Sequence, residues 1–164
     1  MKILFWNCRG EFLCREVKRH CKFSVKAFSL DVHILLETHT QEAGMNRFLQ
    51  TMEMEFEGAG IPGSGYSGGI IVCWNKSFGQ ISWCKGTEQA AYLIIQEPQG
   101  NPWILDGVFA IPDGKQRGYV WSKTTEVLKE GLPTLLVGDF NTLLGPEDKR
   151  GGAPFRMKSD VLAF

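Results

Sequence analysis

The sequence contains no long apolar run. Nothing in its 164 residues approaches the ~18 consecutive apolar residues that a membrane-spanning helix requires, and no membrane partner is expected. It also carries no net charge, because 18 Lys and Arg balance 18 Asp and Glu. That balance excludes the strong uniform field with which very basic proteins collect nucleic acid. Two local basic clusters, Lys18-Arg19-Lys22 and Lys149-Arg150-Arg156-Lys158, read as solvated faces. Histidine is scarce, with only His20, His33 and His39, and the five cysteines (Cys8, Cys14, Cys21, Cys73 and Cys84) are odd in number. Neither set has the spacing of a zinc site. The apolar stretch Ile3–Trp6 is too short for a secretory signal and is ended by Asn7, Cys8 and Arg9. The thiols are therefore expected to be reduced, in an intracellular protein that is not secreted.

What is present suits a folded domain. The chain is 43% hydrophobic, 12% aromatic and 22% charged, enough to bury a core, and its length fits one domain over residues 1–164. Ile3–Trp6 reads as a strand buried on both faces. Leu13, Val17, Cys21, Val25 and Phe28 recur at helical spacing. Asp31–Leu36 reads as a second buried strand ending at Glu37. Met45–Phe56 reads as a helix with Phe48, Leu49, Met52 and Phe56 inward.

The glycine-rich stretch 58–69 reads as turns, with Gly68 and Gly69 allowing a tight one. Strands are then expected over 70–74, 78–83, 91–96 and 103–110, with turns at Asn75-Lys76, Lys85-Gly86 and Gln99–Pro102. A helix over 116–130 stops at Gly131 and Pro133. Thr134–Val137 reads as another buried strand, and Arg156–Phe164 as the start of a helix. The five tryptophans read as core or sheet-edge packing. This mixed order implies an α/β (α+β) arrangement of two sheets with helices outside.

Several strands end in polar groups. Asn7 ends the first, Glu37 the second, and Asp139 and Asn141 the last. Mg²⁺ takes oxygen ligands and keeps several waters, so two carboxylates and two amides suit it better than zinc. Each residue alone reads equally as a turn former or cap.

Taken in order, these residues form a family pattern. Trp6-Asn7-Cys8-Arg9-Gly10 resembles the WNxRG opening of the endonuclease/exonuclease/phosphatase superfamily, whose members include DNase I-like and AP-endonuclease-like enzymes. Leu35-Leu36-Glu37-Thr38 resembles its LQET motif, with Leu36 where Gln is usual. Gly65–Gly69 followed by Ile70–Trp74 resembles its glycine-rich turn and strand. Val108–Pro112 with Arg117 and Trp121 resembles VYxxP…RxxxW, and Gly138-Asp139-Phe140-Asn141 is similar to GDFN. Lys149-Arg150-Gly151-Gly152 is similar to the KxGG of plant-type LINE retrotransposon endonucleases.

The resemblance implies a four-layer α/β sandwich of two packed sheets flanked by helices, DNase I-like. It implies hydrolysis of DNA phosphodiesters with Mg²⁺, or alternatively Mn²⁺, no small-molecule cofactor, and a nuclear location. By the same match Glu37 binds the metal with support from Asn7, Asp139 orients the attacking water, and Asn141 binds the phosphate. Arg9 and His39 are secondary phosphate candidates.

Two departures set the remaining expectations. Phe109 stands where the family carries an aromatic hydroxyl, and it cannot donate a hydrogen bond. The family's Ser-Asp-His motif has no counterpart, so the fold is expected to be incomplete at its C-terminal end, leaving an open sheet edge. Two readings follow: an impaired Mg²⁺-dependent endonuclease, or a silent retrotransposon remnant that binds nucleic acid or protein. A small-molecule or lipid phosphatase would use the same core motifs, but the pairing of GDFN with KRGG points away from it. The cleft is expected to hold no histidine, with Asn7, Glu37, Asp139 and Asn141 converging at one end of the sheets.

Overall fold

A computed structural model describes residues 1–10, 15–52, 54–65 and 67–157, with the backbone alone for residues 15, 16 and 83–85. The first sheet holds β1 (Ile3–Asn7), β2 (Val32–Leu36), β4 (Ile70–Asn75) and β3 (Phe56–Ile61), in that spatial order. The second holds β5 (Gln80–Thr87), β6 (Ala90–Gln96), β7 (Trp103–Phe109) and β8 (Thr134–Asp139). Both sheets are mixed, since β1 runs parallel to β2 and β8 parallel to β7 while the other pairs are antiparallel. Helices α1 (Arg15–Phe28) and α2 (Glu42–Met52) cover the first sheet, and α3 (Gly114–Leu128) covers the second.

The alternation of strand side chains builds the layers. Val32, Ile34 and Leu36 of β2 meet Ala91, Leu93 and Leu105 of the second sheet, while Leu35 faces Val17, Cys21 and Val25 of α1 and Phe48 of α2. Val120 and Trp121 of α3 pack on Val108, and Trp121 stacks on Phe140 at 5.9 Å. The result is the expected helix–sheet–sheet–helix sandwich. α3 begins where Asp113 accepts hydrogen bonds from the backbone of Lys115 and Gln116, each at 3.1 Å, a standard N-cap.

Six expectations need correction. β1 and β8 are edge strands, not strands buried on both faces: Phe5 is 46% and Leu135 44% exposed. Phe28 faces solvent at the end of α1 rather than the core. The helix expected to reach Phe56 stops at Met52, and Phe56 instead opens β3. Part of the glycine-rich stretch is therefore strand. Gly58 and Gly60 let α2 lie close on β3: a Cβ there would stand 2.6 Å from Leu49 and 2.8 Å from Met45. Lys85-Gly86 lies inside β5, which bulges between Trp83 and Lys85 and turns only after Thr87. Arg156 and Met157 belong to no regular element, and the remainder of the expected last helix, like Leu13 of the first, lies outside the described residues.

Two buried ionisable groups outside the strand ends give the protein opposing pH responses. Burial raises the Asp106 carboxyl from 3.8 to about 7, against a weaker opposing hydrogen bond from Thr124. Burial lowers His33, whose two ring nitrogens have no partner, from 6.5 to about 4. Asp106 therefore favours the fold most fully below its unfolded value and loses that contribution as pH rises towards 7. His33 favours the fold above 6.5 and loses its contribution as pH falls towards 4. Between about pH 4 and 6.5 the two slopes cancel, so denaturant stability should be nearly flat there. In Asp106→Asn only the His33 slope remains, and stability should rise with pH by about 1 kcal/mol per unit across that window. A variant as flat as the parent would show that Asp106 does not titrate there.

Candidate active site

The two edge strands β1 and β8 run side by side across the sandwich, and their C-terminal ends meet. Asn7 lies opposite Leu36 in the first sheet, and Asp139 opposite Phe109 in the second. The Asn7 Nδ2 amide donates to Asp139 Oδ2 at 3.0 Å, joining the two sheets at this end. Asn7 is itself held by the Arg9 backbone N–H, which donates to its Oδ1 at 3.0 Å. The other Asp139 oxygen, Oδ1, accepts the Asn141 backbone N–H at 3.0 Å. Both carboxylate oxygens are thus oriented by donors of the chain itself.

The backbone here is strained. Of the five non-glycine residues in the left-handed region among the described residues, four flank this end of the sheets: Arg9, Glu37, His39 and Asn141, with φ of 46–49°. Asparagine tolerates that conformation, whereas Arg, Glu and His adopt it at a cost of about 1 kcal/mol or more each. What holds them is a set of loop hydrogen bonds. The Gly10 N–H donates to the Glu37 carbonyl at 2.8 Å, and the Thr38 and His39 N–H groups donate to Gly69 and Gly68, each at 3.0 Å.

A cavity of about 960 Å³ opens over the joined strand ends, lined by Phe5, Asn7, Asp139, Asn141, Lys149 and Arg156 among others. The sequence reading treated Lys149 and Arg156 as solvated surface. Their signal was the break in helical and strand periodicity after Asn141, which lets the chain fold back over β8. Glu37 does not line this cavity. It follows Leu36, the register partner of Asn7, and its charge is felt at Cys8, whose buried thiol is pushed up to about 12, mostly by burial and Cys21. Arg9 is exposed, and His39 packs on the Arg9-Gly10 turn: a Cβ on Gly10 would stand 2.5 Å from its Nδ1.

The donor set bears on a metal. Among the described residues no group of three or more His, Cys, Asp or Glu side chains could cage an ion. Mg²⁺ needs no such cage, because one or two carboxylates, waters and a substrate phosphate complete its shell. Asn7 and Glu37, at the ends of the neighbouring strands β1 and β2, carry oxygen donors of the kind such a shell would use.

No family model matches the sequence, and no curated protein matches it by sequence either. Solved structures do match. An AP endonuclease from Leishmania major superposes with a TM-score of 0.73 at 15% identity, over 93% of this chain and 59% of that one. TDP2 from D. rerio, complexed with single-strand DNA product, gives 0.59 at 17% identity, over 86% of this chain and 60% of that one. A 3′-5′ exonuclease from Neisseria meningitidis gives 0.64 at 14% identity, over 86% of this chain and 58% of that one. The chain has the DNase I-like fold. It spans about three fifths of the length of these DNase I-like neighbours.

Proposed function

We propose that the joined ends of β1, β2 and β8 form the metal- and water-binding part of a Mg²⁺-dependent phosphodiesterase site acting on DNA. The observation that carries this reading is the Asn7–Asp139 hydrogen bond at 3.0 Å, which unites two sheets at a polar, strained end under a cavity. Asp139 has both oxygens aimed by donors of the chain, and a preorganised acid of that kind is what water activation needs.

Glu37, with Asn7, would hold Mg²⁺ or Mn²⁺, which when bound supplies a Lewis acid to neutralise charge on the phosphate oxygens. Asp139 aligns the attacking water and takes its proton on one carboxylate oxygen. Asn7 keeps that carboxylate in place, and Asn141 offers its amide to the phosphate. Lys149 and Arg156 line the cavity and hold the DNA backbone through charge, without reading its sequence. The match of Lys149–Gly152 after Asn141 supports a LINE-type endonuclease lineage over a small-molecule phosphatase, and a DNA substrate supports a nuclear location.

The test is a Mg²⁺ titration followed by amide NMR, with a fluorescent duplex to measure DNA binding. Signals of Asn7, Arg9, Glu37, Asp139 and Asn141 should shift in a saturable way. Glu37→Gln should weaken the Mg²⁺ response at least tenfold. Lys149→Ala and Arg156→Ala should weaken duplex binding and reduce its salt dependence. Mg²⁺ shifts that map elsewhere, or duplex binding indifferent to both basic residues, would remove the basis for this reading.

A further inference from the structure

A second cavity, of about 640 Å³, lies between α3 and the outer face of the second sheet. We propose that it is a binding site for a small organic ammonium ion. It is separate from the strand-end site. Ile104, in its floor, is at the start of β7, whereas Phe109, the partner of Asp139, ends that strand; five residues of strand span roughly 17 Å.

The size is that of small-molecule sites, and the composition is typical, an apolar floor with a few polar groups. Ile94 and Ile104 form the floor, and Tyr92, Tyr119, Lys123 and Glu126 the polar wall. Tyr92 is more than nine-tenths buried, yet its hydroxyl has no hydrogen-bond partner. Its cross-strand neighbour Asp106 is fully buried; Oδ2 accepts from Thr124 Oγ1 at 3.4 Å, and Oδ1 has no partner. Asp106, Tyr119 and Glu126 all act on the Tyr92 hydroxyl, so these groups form one cluster behind and around the wall. Buried oxygens without donors are uncommon in native proteins and mark where a donor is due.

The chemistry selects the ligand class. Two carboxylates, Glu126 and Glu130, against one ammonium, Lys123, line the cavity and disfavour an anion. A divalent metal ion is disfavoured by the apolar floor and by the lack of a ligating cluster among the described residues. An ammonium group donates to several oxygens at once and is attracted to tyrosine faces. The rim already shows this pairing: Lys123 Nζ lies 2.8 Å from Glu126 Oε2 and 5.7 Å from the Tyr119 ring centroid. An ammonium entering past Lys123 would meet the unpartnered Tyr92 hydroxyl and the Glu126 and Glu130 carboxylates, with its organic part on Ile94 and Ile104.

The experiment uses the 164-residue chain with 2-phenylethylammonium and its uncharged counterpart 2-phenylethanol, followed by amide NMR. The ammonium should shift Tyr92, Ile94, Ile104 and Lys123 saturably, and bind at least about tenfold more tightly than the alcohol, a difference of about 1.4 kcal/mol. Glu126→Gln and Glu130→Gln should each weaken the ammonium several-fold, and together about tenfold, while leaving the alcohol unchanged. Tyr92→Phe, which keeps the ring and removes only the unpartnered hydroxyl, should weaken the ammonium as well. Equal binding of the two probes, non-saturating shifts, or shifts confined to the Asp139 end would each overturn the proposal.

Discussion

Supercoiled plasmid incubated with the 164-residue chain and Mg²⁺ should stay almost uncut, at a rate at least about 10²–10³ below that of a site with its full set of donors. The reason lies in where the histidines are. His33 is buried among apolar side chains of the first sheet, His20 packs edge-on to Trp6 with ring centroids 6.3 Å apart, and His39 rests on Gly10. None lines the cavity over Asn7 and Asp139. Phe109, beside Asp139 in register, is buried and has no hydroxyl to offer. The phosphate would be met by Asn141, Lys149 and Arg156, which neutralise charge without delivering a proton to the leaving oxygen. Plasmid nicking by purified protein, run beside Glu37→Ala and Asp139→Ala, measures this. Robust nicking abolished by both substitutions would mean that the residues present complete the site, and the expectation of a slow or silent enzyme would be wrong. The Mg²⁺ titration is independent of that outcome, because the proposed ion site would use Glu37 and Asn7 and no proton donor.

Strand ends were legible in the sequence because polar residues interrupt apolar runs there. Asn7, Glu37 and Asp139 each follow such a run, and the structure puts them at the ends of β1, β2 and β8. That Asn7 reaches Asp139 was visible only through the family resemblance, since no local pattern reports a contact 132 residues apart. Neighbour count is equally silent in sequence. Ile3–Trp6 and Thr134–Val137 are as apolar as central strands, yet β1 and β8 each pair on one side only. β3 was missed for a different reason. Its glycines signal a turn by propensity, but their role is to admit Leu49 and Met45 of α2, a tertiary requirement that overrides propensity. Asp106 was passed over because its neighbours are apolar, and its hydrogen-bond partner, Thr124, comes from the next helix, α3, 18 residues on.

Gly138→Ala should cost about 3–5 kcal/mol and lower the melting temperature by about 10–15 °C. Gly138 has a φ of 152°, a conformation that residues with a Cβ rarely adopt. The collision is the larger part. A Cβ there would run into the carbonyl oxygen of Val108, with the Val108 carbonyl carbon 2.7 Å and nitrogen 2.9 Å away. Val108 is its register partner and fully buried, so the backbone cannot yield without parting β7 from β8. Gly131→Ala separates the two contributions. Gly131 has a φ of 72° but nothing within 4 Å of a new Cβ, so only strain of about 1–2 kcal/mol is expected there. Thermal denaturation of the two variants should therefore differ by several degrees. Gly138→Ala should also displace Asp139, the next residue, from Asn7, and lose the Mg²⁺-linked shift at Asp139 even at temperatures where it stays folded. A Gly138→Ala protein melting within about 2 °C of the parent would mean that β8 does not lie against β7 as closely as described, and with it the placement of Asp139 would fall.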